Sequence, residues 1–308
     1  MQVSFVIPLY NCLRLTQAML ASLQATVPAG LRHEIIFVDD GSRDGTREWL
    51  GSLSAADGYK VHLNAENAGY AASNNRGAAL AGGDYLVLLN NDLVLTPGWL
   101  EPMLALHRRL ARPGVVGNVQ VSASSGELDH TGIVINAKGK PEHDRRLPAG
   151  GSRSRRVDAV TGACWLVRRD LWTQLGGFDE GFLNGCEDVD FCLRAASHRH
   201  VNAVALESVI RHHVSASPGR KLRDEANTRR LVLRWRDELA LRGSRAWSQD
   251  YVARILNAAT AFSSPLGAWR VLCHALGLRR SPPPEALSGI HHAIDRELAR
   301  WESLLGQA

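Results

Sequence analysis

Short apolar runs, each closed by a polar cluster, alternate with helix-spaced apolar residues along the first part of the chain. The clearest run is Leu86–Leu89, which ends in Asn90-Asn91-Asp92 before Leu93-Val94-Leu95. Four consecutive apolar residues predict a central strand with helices on both faces. Val3–Leu9 predicts the first strand, with Pro8 near its carboxyl end, where a missing N–H is tolerated. Glu34–Val38 predicts a second strand, closed by Asp39-Asp40-Gly41-Ser42, and Val61–Asn64 a short third. Leu15, Met19 and Leu23 recur at helical spacing, and Asn11 is placed to cap that helix. Ser42 or Asp44 can cap the helix carrying Trp49 and Leu50. The small residues of Gly69–Gly77 suit a helix whose N-terminus comes close to a bound anion, with Gly82-Gly83 as its stop. Alternation of this kind predicts βαβ units and a mostly parallel sheet.

Further along, a helix is expected through Trp99–Leu106, then strands near Val115–Val121 and Gly132–Asn136. Lys138–Arg156 carries Arg145, Arg146, Arg153, Arg155 and Arg156 among Pro and Gly; it reads as a mobile loop over the crevice or a solvated surface loop. Val157–Arg168 returns to sheet, and Gly162-Ala163 leave room for a backbone close to a ligand. A short helix over Asp170–Gly176 and a tight turn, Gly177–Phe182, precede a helix that begins at Glu187-Asp188-Val189-Asp190. Acids in a first helical turn suit the macrodipole as well as they suit chemistry. The strand Val201–Leu206 is expected to end before His212-His213. From Leu222 onward Arg and Leu dominate, Pro282-Pro283-Pro284 divide the remainder, and helices are expected throughout. There Trp269, Leu272, Cys273 and Leu276 form a stripe, read as packing on the main domain or as a basic amphipathic helix on a membrane.

The length of 308 residues allows one large α/β unit with an appendage. A net charge of +5 is compatible with phosphate-bearing ligands or an anionic membrane without arguing for either. The five cysteines show neither C-x-x-C nor a zinc spacing, so free thiols are expected. No run is long enough to span a bilayer and the N-terminus enters a strand directly, so no leader is expected. The turns hold neither G-x-G-x-x-G nor G-x-x-x-x-G-K-[ST], which argues against dinucleotide enzymes and P-loop NTPases.

Asn90-Asn91-Asp92 is either a polar turn or a site for a hard divalent cation at the carboxyl end of a strand. Asp39-Asp40, Asp92 and Glu187-Asp188 gathered in one crevice would repel one another unless a cation sat among them. A divalent metal with a pyrophosphate ligand resolves that conflict, and a carboxylate left free of it can serve as general base toward a hydroxyl. Such a site would carry displacement at a carbon bearing a nucleotide diphosphate.

Six segments, taken in order, resemble the family 2 glycosyltransferases: Val6–Asn11, Val38–Ser42, Asn67–Ala72, Leu89–Asp92, Gly176–Phe182 and Glu187–Arg194. The resemblance covers about residues 1–220 and not the C-terminal helices. It implies a GT-A fold, an α/β architecture with a mostly parallel central sheet, helices on both faces and a C-terminal helical appendage. Residues 1–220 would be the transferase domain, split into a nucleotide-sugar half (1–100) and an acceptor and catalytic half (101–220), with 221–308 the helical region. It implies inverting transfer from a UDP- or dTDP-sugar to a glycan or lipid-linked acceptor, as in bacterial cell-surface polysaccharide synthesis. Pro8, Tyr10 and Asp40 would line the nucleoside pocket, and Asn11, Asn67, Gly69, Asn75, Asn91 and Gly162 would complete the donor-binding set. Asp92 and His212 would hold Mn²⁺ or Mg²⁺. Glu187 and Asp188 would be the catalytic pair, with Asp188 the base. One departure is that the family fold's Asp-x-Asp pair stands here as Asn90-Asn91-Asp92, leaving one acid. Arg145 and Arg146 are candidates for contact with a phosphate-bearing acceptor. The expected location is the cytoplasm, at the inner face of the membrane, with peripheral contact through the C-terminal helices and no nucleic-acid partner. The competing readings are a binding protein without catalysis and a sugar nucleotidyltransferase; the second would need a basic Gly-rich loop where Pro8–Asn11 stands.

Overall fold

The computed structural model describes residues 1–53, 58–213, 220–258 and 264–306. It divides into two units, Met1–Ile133 with His143–Pro218, and Val134–Glu142 with Gly219–Ala308.

The first unit begins with β1 (Gln2–Leu9), α1 (Leu13–Thr26), β2 (Arg32–Asp39), α2 (Thr46–Gly51), β3 (Tyr59–Leu63), α3 (Tyr70–Leu80) and β4 (Tyr85–Leu89). β5 (Leu93–Val94), α4 (Leu100–Arg109), β6 (Pro113–Ser122) and β7 (Leu128–His130) follow; the small pair β8 (Ile133–Ile135) and β9 (Pro141–His143) then belongs mostly to the second unit, after which the first unit resumes. It closes with β10 (Ser154–Arg156), β11 (Cys164–Arg168), α5 (Arg169–Leu175), α6 (Glu187–Ser197) and β12 (Val201–His212). The main sheet runs β10-β12-β6-β11-β4-β1-β2-β3. β4 is central as expected, parallel to β1 on one side and antiparallel to β11 on the other.

Successive side chains on a strand point to opposite faces, and β1 shows what each face buries. Val3, Phe5, Ile7 and Leu9 join Met19 and Leu23 of α1 and Leu100 and Met103 of α4 in one core. The opposite face takes α3, which approaches through Gly77: a Cβ there would lie 2.4 Å from Val6 Cγ1. Gly77→Ala is therefore expected to destabilise the fold by about 2 kcal/mol through overpacking, read as a lower urea midpoint with an unchanged slope. Trp165, paired with Leu88, stacks on Phe178 at 5.2 Å and meets Phe191 edge-on at 5.4 Å.

Several local expectations change. α1 buries Thr16, Met19, Leu20 and Leu23, while Leu15 is only half-buried. Asn11 does not cap it: Asn11 and Cys12 are both left-handed, with φ 56° and 62°, and the Asn11 amide oxygen accepts from Arg43 N–H instead. The first helical N–H, of Leu13, is taken by Asp44 Oδ2 at 3.0 Å, so the cap arrives from a residue far along the chain. The N-cap of α2 is Gly45, with Asp44 Oδ1 accepting from Thr46 N–H; Ser42 serves elsewhere. β12 does not stop at Leu206. Past an irregularity between Ala205 and Val209 it resumes pairing with β6 and continues to His212, where it also pairs with β5.

The Lys138–Arg156 segment holds β9 and β10 rather than forming one open loop, because its arginines have carboxylate partners. Arg155 pairs with Asp144 at 2.6 Å, Arg146 with Asp144 at 3.0 Å, Arg145 with Asp129 at 3.2 Å and Arg153 with Glu207 at 2.8 Å.

In the second unit α7 (Arg220–Ala258) breaks helical geometry at Trp235, and α8 (Pro265–Ala275) and α9 (Pro284–Leu305) follow. Ser264 caps α8 through Gly267 N–H. The face α8 buries is Gly267, Ala268, Val271, His274 and Ala275. This corrects the packing reading of the larger stripe: Trp269 and Leu276 face solvent, and Leu272 and Cys273 are half-buried. Small residues permit closer helix approach than Trp and Leu do, and His274 finds polar partners in Ser244 at 3.1 Å and the Arg279 carbonyl at 3.1 Å.

Candidate active site

The carboxyl ends of β1 and β2 set out a polar ledge. Asp39, fully buried, accepts from Gly41 and Ser42 N–H and pairs with Arg47 at 2.7 Å. Asp40 is also buried and accepts from Asn64 Nδ2 at 2.7 Å, Ala68 N–H at 2.8 Å and Gly69 N–H at 2.9 Å. A carboxylate offers about four acceptor sites, so Asp40 clamps the Asn67–Gly69 turn and keeps one direction for another donor. Gly69, at φ 89°, opens α3, and Asn67 beside it is exposed. Pro8 lies buried in β1 opposite Val38, and Tyr10 stands beyond the strand end, half exposed. Asn11 N–H donates to Ser42 Oγ, and its carbonyl accepts from Asn91 Nδ2, whose other donor bond reaches Thr16 Oγ1 at 2.9 Å. Asn91 thus ties the end of β4 to the start of α1.

Asp92 follows directly. The pairing of β5 with β12 sets His212 opposite Leu93, and His213 N–H donates to the Asp92 carbonyl. His212 Nε2 comes within 3.3 Å of Asp92 Oδ1. Asp92 Oδ1 and His212 Nδ1 are nonetheless buried without a hydrogen-bond partner. Buried polar atoms are normally satisfied, so an orphan carboxylate oxygen beside an imidazole calls for explanation. The two side chains supply one hard oxygen and one nitrogen donor, which suits a small divalent cation that fills its remaining positions from a ligand. No cluster of three or more such side chains occurs among the described residues. Val214–Ser217, the rest of the His-containing segment, lie outside them.

The third group is built on α6. Asp188 Oδ2 accepts from Gly162 N–H at 2.7 Å and Oδ1 from Val189 N–H at 2.7 Å. Burial raises its carboxyl above the ordinary value, against those two donors and the nearby His143. Glu187, buried, accepts from Gly185 N–H at 2.6 Å and so shapes the turn into the helix. The space beside Gly162 is filled by Tyr70, whose hydroxyl donates to the Gly162 carbonyl at 2.7 Å; a Cβ on Gly162 would lie 3.0 Å from that oxygen. Burial and the charges of Glu187 and Asp188 push the Tyr70 phenol well up, so it stays a donor.

Two polar side chains on this side hold structure. The Asn75 amide is bonded to both Phe178 N–H and its carbonyl and to Glu180, which fixes the aromatic turn. Asp190, fully buried, pairs with Arg194 at 2.8 Å, and Arg194 also donates to the Leu175 and Gly177 carbonyls. Removing one partner of a buried pair strands the other, so Asp190→Ala is expected to cost about 3 kcal/mol, measured by urea unfolding.

The three groups share one edge of the sheet. The antiparallel β4–β11 pair continues past β4 with Asn90 N–H on the Ala163 carbonyl at 2.8 Å. Asp92 is therefore two residues from a contact with Ala163, and Gly162, the next residue back, carries the Asp188 carboxylate. The spacing along the chain gives no sign of two further members, His130 and His143. Their Nδ1 atoms are 3.3 Å apart and their rings edge-on at 4.8 Å. Burial holds both imidazoles below their usual value, while the Asp188 charge pulls His143 upward.

The sequence model of the family described as "Glycosyl transferase family 2" matches residues 4–176, over half of the chain. "Uncharacterized protein y4gI" of Sinorhizobium fredii is 31% identical over 241 residues, covering 74% of this chain. The chain spans only 26% of the length of y4gI. The "N-acetylglucosaminyl-diphospho-decaprenol L-rhamnosyltransferase" of Mycobacterium tuberculosis is 26% identical over 212 residues, 60% of this chain and 68% of that protein. Among solved structures, GalNAc-T7 with UDP, GalNAc and Mn²⁺ superposes with a TM-score of 0.65 at 18% identity, covering 85% of this chain and 52% of the other, which shows a common fold.

Proposed function

This chain belongs to glycosyl transferase family 2, and from that membership we propose that it transfers a sugar, with inversion, from a UDP- or dTDP-sugar to a hydroxyl of a glycan or lipid-linked acceptor. Residues 1–220 form the transferase domain and 221–308 a helical region. The observation that carries the reading is the common sheet edge on which Asp188 is held by Gly162 N–H while Asp92 and His212 meet across β5 and β12.

Asp188 is the general base. Each of its oxygens accepts one backbone N–H, which fixes the carboxylate and leaves lone pairs for an acceptor hydroxyl. As the acceptor oxygen bonds to the anomeric carbon, its proton passes to Asp188. The carbon–oxygen bond to the nucleoside diphosphate breaks, and the diphosphate leaves with the electron pair. Asp92 and His212 would hold Mn²⁺ or Mg²⁺, which would neutralise charge developing on the departing diphosphate. Tyr10 and Asp40 face the nucleoside, with Asp40 accepting from the base through its remaining direction. Pro8, Asn11, Asn67, Gly69, Asn75, Asn91 and Gly162 shape the donor pocket, mostly through the turns they fix. Glu187 sets the start of α6 and hence the aim of Asp188.

The rhamnosyltransferase likeness supports a lipid-linked acceptor met at a membrane, since the name of that protein gives a diphospho-decaprenol acceptor. No described helix is long and apolar enough to cross a bilayer, and contact with such an acceptor through the C-terminal helices is part of the proposal. The test is a panel of nucleotide-sugars scored for donor hydrolysis and thermal stabilisation, with and without Mn²⁺. At least one UDP- or dTDP-sugar should stabilise the protein and be hydrolysed; stabilisation without any turnover would favour a binding protein instead.

A further inference from the structure

The solvent side of α8 carries large apolar side chains. Leu266, Trp269 and Leu276 are 65%, 61% and 65% exposed, and Leu278, just beyond the helix, is 75% exposed. With the half-buried Cys273 between them, they fall at helical spacing on one stripe, opposite the small residues that α8 buries. Isolated exposed leucines are ordinary, but a contiguous apolar stripe centred on Trp marks an interaction surface.

Cations gather at the carboxyl end of this stripe. Arg279 and Arg280 are exposed, and the guanidinium of Arg245 on α7 lies within 3.7 Å of the position a Cβ on Gly277 would occupy. Glu285, which also feels the Arg279 charge, is bonded to Arg270, whose hydrogen bond holds its carboxyl below the ordinary value. The arrangement is a Trp–Leu stripe with guanidiniums at one end, in a chain of net charge +5. That is complementary to a surface that is apolar within and anionic at its rim. An anionic bilayer has that profile: side chains enter the acyl boundary while Arg stays at the phosphates.

We propose that the outer face of α8, through Leu266, Trp269, Leu276 and Leu278 with Arg279 and Arg280, docks the protein on an anionic lipid surface. This deepens the membrane contact in the proposed function, and vesicle binding tests it without any sugar transfer. The full chain is floated with phosphatidylcholine vesicles, with and without phosphatidylglycerol. It should float only with the anionic vesicles. Trp269→Ser with Leu276→Ser, and separately Arg279→Glu with Arg280→Glu, should each lower the bound fraction about tenfold. The thermal midpoint should not move, since the side chains are exposed. If the apolar double variant does not fold, the charge reversals beyond the helix decide alone. A wild-type chain that stays at the bottom of the gradient, or binding that survives both changes, overturns the proposal. So does a dimer that the Trp269 and Leu276 changes convert to monomer, because a second copy would then cover the face.

Discussion

Asp188→Asn is expected to lower the turnover of sugar transfer about a thousandfold while nucleotide-sugar binding changes little. The amide cannot take a proton from the acceptor, so only the positioning contribution survives. Its oxygen can still accept one of the two N–H bonds from Gly162 and Val189, so the local fold should persist. The pH profile separates a base from a structural carboxylate. A base works deprotonated, so wild-type kcat/KM rises with pH through the Asp188 pKa. Burial lifts that pKa above the ordinary 3.8, which moves the acid limb to higher pH than an exposed Asp would give. The residual activity of the Asn variant should lose that limb. A variant with near wild-type turnover would remove Asp188 from the chemistry.

Asp92→Ala is expected to abolish stimulation by Mn²⁺ and to lower turnover at saturating donor about a hundredfold. The neighbourhood explains why the effect should be large. Among the described residues His212 stands beside Asp92 as the second donor, and both carry buried atoms without hydrogen-bond partners. With one acid where the fold commonly has two, no second carboxylate among the described residues forms a cluster with this pair. The backbone link from His213 to the Asp92 carbonyl does not involve the side chain, so β5 and β12 should remain paired. Titration of Mn²⁺ in the presence of UDP, followed by thermal stabilisation, checks the loss of cation binding independently of turnover.

Strand ends were legible in the sequence because a buried strand leaves its apolar run abruptly, as at Leu89–Asn90 and Val38–Asp39. Long-range pairing was not. Nothing near Asp92 signals that β5 lies against the end of β12, because that strand resumes its pairing after the irregularity at Ala205–Val209. The insertion of β11 antiparallel between β4 and β6 was equally hidden, yet it brings Ala163, the neighbour of Gly162, to Asn90. Asn11 and Asp44 show how a cap can be misassigned: both are good capping types, and the left-handed backbone at Asn11 turns its side chain away from α1. On α8 the stripe of larger residues looked like the packing face. Hydrophobicity alone favoured Trp269 and Leu276, but close helix packing selected Ala268, Val271 and Ala275. The arginines between 145 and 156 suggested mobility from composition, whereas Asp129, Asp144 and Glu207 give four of them partners.

A crystal structure of the full chain with UDP and Mn²⁺ tests the convergence of these groups most directly. The anomalous signal should fall between Asp92 Oδ1 and His212, the diphosphate should share that cation, and the Asp188 carboxylate should face the open side of the same cleft. Nucleotide and metal bound away from Asp92, or Asp188 shielded from the diphosphate by intervening protein, would contradict the account.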